Sequence, residues 1–143
     1  MKFCSTCGGK LNEDPFPLRC AACGYIHYRN PLPGVVVVQP VRAKLRHGVI
    51  GVRRNVPPSA GELALPGGFI EEEDWQTAAC RELFQETNIR ASEVSLIDVR
   101  SSLCKGFLVV YSLAPPLLEE ELPPFLENEE VRERVILWEP HEL

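Results

Sequence analysis

The chain has 143 residues, 45% of them hydrophobic, which is enough for one globular core with room for a small extra module. No apolar run approaches the ~20 residues of a membrane helix, and the start MKFCSTCGG lacks the apolar stretch of a signal peptide, so the expectation is a soluble, cytoplasmic protein. A net charge of -5 argues against nonspecific nucleic-acid binding, which needs clustered lysine and arginine to displace counterions.

Cys4-Ser5-Thr6-Cys7 and Cys20-Ala21-Ala22-Cys23 form two Cys-x-x-Cys pairs, each followed by a glycine, Gly8 and Gly24, that lets the backbone fold back. Four thiolates in this pattern suit tetrahedral Zn2+ and resemble a zinc ribbon. A disulfide pair is disfavoured in an intracellular chain, and a redox dithiol needs only one pair. With four protein ligands the ion has no open position, so the role expected of Cys4, Cys7, Cys20 and Cys23 is structural. About thirty residues bury too little apolar surface to fold alone, and metal must supply much of the stability. Lys2, Lys10, Arg19 and Arg29 against Glu13 and Asp14, with about two further negative charges from the metal cluster, leave the ribbon near neutral. That argues against a nucleic-acid role. Tyr25, His27, Tyr28 and Arg29 could pack against the following domain or meet a substrate base, but His27 by itself reads as a packed or surface residue.

Asn30 to Pro33 reads as a rigid linker. Val35 to Val38 is a buried strand by its β-branched run, ended by Gln39-Pro40, and Val49 to Arg54 is a second. An irregular loop follows over Pro57 to Gly61, and Glu62 to Pro66 returns as a short strand.

The segment from Gly67 to Ile89 is a glycine turn, a cluster of acids and a helix. Asp74 is the expected N-cap and Asn88 the left-handed stop. At about 100° per residue, Cys80, Leu83, Phe84 and Thr87 fall on a face built for burial, while Ala78, Glu82, Gln85 and Glu86 fall on one that presents oxygens. Such acidic faces are ordinarily solvated. Here, however, Glu82 is followed four residues later by Glu86, a like-charge pair that costs stability unless a cation lies between them. Hard divalent ions take carboxylate oxygens together with substrate phosphates, so the expectation is a Mg2+ or Mn2+ platform.

After the helix, Val94 to Ser101 and Phe107 to Leu113 read as strands joined by a turn at Cys104-Lys105-Gly106. Cys80 and Cys104 read as core or semi-buried thiols. Ala114 to Asn128, rich in proline and acid, is expected to be an irregular acidic loop, with a lid over the site as the less common outcome. Val131 to Trp138 is a last strand, and Glu139 to Leu143 looks like the opening of a terminal helix.

Gly67, Glu73, Arg81-Glu82-Leu83, Glu86 and Ile89, preceded by Leu65-Pro66, resemble the 23-residue signature of the Nudix hydrolases. Three departures stand out. Gln85 replaces the first of the paired acids, Asn88 replaces a glycine, and the turn between Ile70 and Asp74 is one residue short, so Glu72 or Glu73 takes the acid position. The resemblance implies an α/β fold, the Nudix α/β/α sandwich with a mixed sheet, over residues 31–143 behind a ribbon over 1–30. It also implies Glu82, Glu86 and Arg81 as catalytic residues, Glu82 and Glu86 binding the metal with one of them or a later acid orienting the water, Arg81 orienting Glu82, and Gly67 and Gln85 as further Mg2+ or Mn2+ ligands. Glu127, Glu129 and Glu130 are candidates for a further acid. Arg53 and Arg54 stand where family members hold phosphate, with a solvated strand end as the equal alternative.

The ribbon and signature together resemble NADH pyrophosphatase-like Nudix enzymes, although the specificity motif of NADH pyrophosphatases is not evident. The implied activity is metal-dependent hydrolysis of the pyrophosphate bond in a nucleoside diphosphate linked to another group, such as NADH or ADP-ribose. The alternative, favoured by Gln85, is a weak or inactive domain that binds a nucleotide or a protein partner. Many relatives dimerise, which leaves a homodimer open.

Overall fold

The computed structural model describes residues 2–11, 16–57, 59–102 and 106–138. It divides into two compact units, Met1–Pro31 and Leu32–Leu143.

The first unit is two short antiparallel hairpins. β1 (Lys2–Phe3) pairs with β2 (Lys10–Leu11), and β3 (Leu18–Arg19) pairs with β4 (Ile26–His27). Its buried set is Cys4, Leu11, Leu18 and Cys20, with Phe16 packed beside them.

The second unit opens with β5 (Leu32–Val38), β6 (Pro40–Arg42), β7 (His47–Arg54), β8 (Leu63–Ala64) and β9 (Gly67–Phe69). It continues through α1 (Trp75–Thr87), β10 (Ser95–Ser102), β11 (Phe107–Leu113), β12 (Leu117–Leu118) and β13 (Val131–Leu137). The strands form two sheets. One runs β10-β11-β5-β9, mixed because β11 and β5 are parallel; the other runs β12-β6-β7-β13 with β8 alongside β7. Val35 and Val37 of β5, Val41, Ile50, Val110 and Ala114 meet Ala78, Ala79, Leu83 and Ile89 in one core. Alternation along β5 and β11 sends every second residue to that core and the others to the opposite face.

The class is α/β as expected, and the element order follows the sequence reading with some shifts. β5 begins at Leu32 rather than Val35, because β11 pairs with it along its whole length. Pro33 is accommodated there, its carbonyl accepting the Ile70 amide at 3.1 Å. Gln39 breaks the strand, but β6 starts directly after it; the buried Gln39 amide bridges the Pro40 and Pro115 carbonyls at 3.0 and 2.8 Å. The acidic proline-rich stretch carries β12 and a 3-10 turn over Glu119–Glu121. Among the described residues α1 is the one α-helix. The helix expected over Glu139 to Leu143, the Cys104 thiol and most of the turn at Cys104-Lys105-Gly106 lie outside the described residues.

Candidate active site

Local chemistry fixes α1 at both ends. Asp74 Oδ1 accepts the Thr77 amide at 2.8 Å, a bond that also holds its carboxyl below the usual range, and Asn88 ends the helix at φ 62°. The expected division of faces needs correction. The buried arc is Ala78, Ala79, Glu82, Leu83, Glu86 and Thr87, while Cys80 and Phe84 are half-buried. Glu82 and Glu86 are therefore turned inward, 8% and 6% exposed, and of the proposed oxygen-bearing face only Gln85 is exposed.

The glycine pair in β9 makes this possible. The Gly67 amide donates to Glu86 Oε2 at 2.9 Å, and the missing side chain of Gly68 leaves the space that the Glu82 carboxylate fills. Arg81 then locks the arrangement. Its Nε and Nη2 donate to Glu73 Oε1 at 2.9 and 2.5 Å, its Nη1 to Glu82 Oε1 at 2.6 Å and to Gln85 Oε1 at 3.1 Å, and its Nη2 to the Phe69 carbonyl at 3.0 Å. Glu73, rather than Glu72, is thus the acid joined to Arg81, and the Glu73 bond is the main reason its guanidinium holds its proton more tightly than usual.

Burial dominates the titration of both inward acids. It pushes Glu82 up against the opposing hydrogen bond from Arg81. It carries Glu86 to about 7, the Gly67 amide resisting and Glu82 and Glu130 adding repulsion. Both carboxylates line a cleft of about 440 Å³ with Arg54, Gly67, Gly68, Gln85 and Glu130 among its other walls. Concentrated carboxylate oxygen in a cleft of this size suits a hard divalent ion with a phosphate beside it.

Of the candidate acids after the helix, Glu130 lines this cleft, and Glu127 and Glu129 are not among its walls. Arg53 and Arg54 also part company. Adjacent strand residues face opposite ways, and Arg53 is held by Glu133 at 2.8 Å and by the Gly61 carbonyl at 3.0 Å. Arg54 alone of the two lines the cleft. Glu71 is a further lining acid that the sequence reading did not single out. An apolar groove of about 230 Å³ shares Gly67, Gly68 and Phe69 with the cleft, and there the half-exposed Phe69 ring lies 5.8 Å from that of Phe107.

The ribbon has its own site. The four Sγ atoms of Cys4, Cys7, Cys20 and Cys23 lie within 4.8 Å of one another, with Cys4–Cys23 at 3.7 Å and Cys7–Cys20 at 3.6 Å. Zinc–sulfur bonds of about 2.3 Å in a tetrahedron put sulfurs about 3.8 Å apart, so the cluster can hold a metal of that kind. The two knuckles match: Gly8 and Gly24 take φ of 71° and 78°, and their amides return to the Cys4 and Cys20 carbonyls at 2.9 and 2.8 Å. At Cys7 the Gly9 amide favours the thiolate, yet the neighbouring sulfurs push the thiol up to about 12. A cation would relieve that crowding. His27 Nε2 lies 3.3 Å from Cys4 Sγ, a contact that a lone histidine in the sequence does not announce.

A family model described as the NUDIX domain matches residues 30–143. The NAD-capped RNA hydrolase NudC of Vibrio parahaemolyticus is 26% identical over 119 residues, covering 78% of this chain and 44% of that protein, so the chain spans under half the length of that relative. A NUDIX hydrolase from Nitrosomonas europaea superposes over 100% of this chain and 80% of its own, with a TM-score of 0.68 and 29% identity. A MutT/nudix family protein from Enterococcus faecalis, at 23% identity and a TM-score of 0.67 over 76% of this chain and 44% of its own, shares the fold.

Proposed function

Because the chain belongs to the NUDIX family, we propose that it hydrolyses the pyrophosphate bond of a nucleoside diphosphate joined to a second group, in the manner of NADH or ADP-ribose. The observation that carries this reading is the pair Glu82 and Glu86, buried one turn apart on α1 at the wall of the cleft. Two carboxylates in that position are unfavourable without a cation and well placed with one.

Glu82 and Glu86, joined by Glu130, would hold Mg2+ or Mn2+, with Gly67 and Gln85 beside them. When bound, such an ion neutralises charge developing on phosphoryl oxygens and makes a bound water more acidic. Arg81 orients Glu82 through its bond at 2.6 Å and is itself oriented by Glu73. Arg54 is the cleft arginine suited to a substrate phosphate. The apolar groove at Phe69 and Phe107 would take a planar ring of the substrate. That the relative from Vibrio parahaemolyticus is a hydrolase of NAD-capped RNA supports a substrate of the dinucleotide kind. The ribbon would hold Zn2+ in a structural role, since Cys4, Cys7, Cys20 and Cys23 leave no position open.

A second reading, a nucleotide-binding domain with little turnover, is favoured by Gln85 alone, whose neutral oxygen accepts from Arg81. One experiment separates the two. NADH, ADP-ribose and related diphosphates are incubated with the protein, with and without Mn2+ or Mg2+, alongside Glu82→Gln. Metal-dependent turnover by the wild type that Glu82→Gln reduces by several orders of magnitude supports the hydrolase. Binding without turnover by the wild type supports the alternative.

A further inference from the structure

The C-terminal end of α1 is tied to the segment that delivers Glu130 to the cleft. Asn88 closes the helix at φ 62°, ψ 12°, a conformation that a glycine adopts with less strain, so capping alone gives no reason for an asparagine. Its side chain does something a glycine cannot. Oδ1 accepts the Leu126 amide at 2.7 Å. Two residues further on, Asn128 Nδ2 donates to the Gln85 carbonyl at 2.9 Å, a last-turn carbonyl that the helix itself leaves without a partner. Asn128 Oδ1 in turn accepts the amides of Glu130 and Val131 at 3.0 and 2.9 Å. From the other side the Asn55 amide takes the Glu130 carbonyl at 2.7 Å. Arg134 seals the junction, its Nη1 on the Thr87 carbonyl at 2.7 Å and its Nη2 on that of Pro123 at 2.6 Å.

We infer that Asn88 and Asn128 form a latch between the helix bearing Glu82 and Glu86 and the chain bearing Glu130, and that Asn88 is a positioning residue acting through Glu130. The inference rests on the proposed hydrolase reading for what Glu130 does in the cleft. It assigns a purpose to the replacement of the family's glycine: the substitution adds a tether that keeps three carboxylates in register.

Asn88→Gly is a clean test because it keeps the helix cap and removes the Asn88 half of the latch, its bond to the Leu126 amide, while leaving the bonds of Asn128 and Arg134 in place. The expected result is an unchanged helix by circular dichroism, Mn2+ affinity lowered about fivefold by calorimetry, and a similar fall in kcat on ADP-ribose with little change in KM. In a Glu130→Gln background the same substitution should have no further effect. Wild-type Mn2+ affinity and kcat in Asn88→Gly, or an equal fall in the Glu130→Gln background, would overturn the latch. Amide exchange at Glu130 and Val131, expected to quicken in Asn88→Gly, reads the latch without metal or turnover. A wild type that hydrolyses nothing therefore defeats the hydrolase reading, while unaltered exchange defeats the latch.

Discussion

The Glu82 carboxylate occupies the space that a side chain at Gly68 would need. The two glycines of β9 thus have different duties, Gly67 giving its amide to Glu86 and Gly68 giving room to Glu82. Gly68→Ala should overpack the site by about 1–3 kcal/mol and displace Glu82 from Arg81. A displacement on that scale lowers kcat/KM by about a hundredfold. Steady-state kinetics with a parallel Mn2+ titration check this, and unchanged metal affinity would contradict the placement of Glu82.

Glu86 gives the metal-free protein an unusual pH response. Burial, resisted by the Gly67 amide and reinforced by Glu82 and Glu130, lifts its carboxyl from 4.5 to about 7. Between those values the folded state binds more protons than the unfolded one. Stability from this group is therefore full below about pH 4.5 and falls as pH rises through about 7, by an upper bound of about 3 kcal/mol. Urea midpoints for the metal-free protein should drop between about pH 5 and pH 7.5. Mn2+, which takes the ionised form, should shrink that drop. Glu86→Gln should remove Glu86's part of it, leaving the smaller contribution of Glu82, whose carboxyl is also pushed up by burial.

The features read correctly from the sequence are those whose signals are local. Cysteine spacing and its following glycines mark the ribbon site, Asp74 and Asn88 mark the helix ends, and the span of β11 follows from its apolar run. What the sequence left open, or divided differently from the structure, required long-range information. The helical projection places Glu82 and Glu86 opposite the buried face, as an oxygen-bearing platform, whereas they share the buried arc because a glycine pair from another strand lies beneath them. Choosing Arg54 over Arg53 needs the side of β7 that faces the cleft, which depends on β13 and its Glu133. Glu130 is singled out from Glu127 and Glu129 by the hydrogen bonds of Asn128. Leu32 joins a strand because β11, some seventy-five residues later, pairs with it.

Gln85 sits exposed at the rim of the cleft with its oxygen toward Arg81 at 3.1 Å. Gln85→Glu keeps that partner and turns an already charge-assisted bond into an ion pair, while adding a negative charge to the cleft where a divalent ion would bind. Mn2+ should bind about tenfold more tightly, and kcat/KM should rise several-fold. A calorimetric titration decides the first. A fall in affinity would mean that the added charge repels Glu82 more than it attracts the ion.

The ribbon predicts a different consequence of metal removal from that of the cleft. Its buried set is Cys4, Leu11, Leu18 and Cys20, so two of four core positions belong to the cysteine cluster that could hold a metal. Apparent binding energies of about 10–16 kcal/mol for structural zinc exceed anything Leu11, Leu18 and Phe16 can provide. Cys7→Ser, or a strong chelator, should release about one zinc per chain and collapse amide dispersion over residues 2–11 and 16–31. The core built on Val35, Ile50, Leu83 and Val110 contains none of these ligands, so its amide signals should persist in the same spectrum. Heteronuclear correlation spectra before and after chelation, with zinc measured by atomic absorption, test both halves. A ribbon that keeps its dispersion without metal would refute the structural role of the four cysteines.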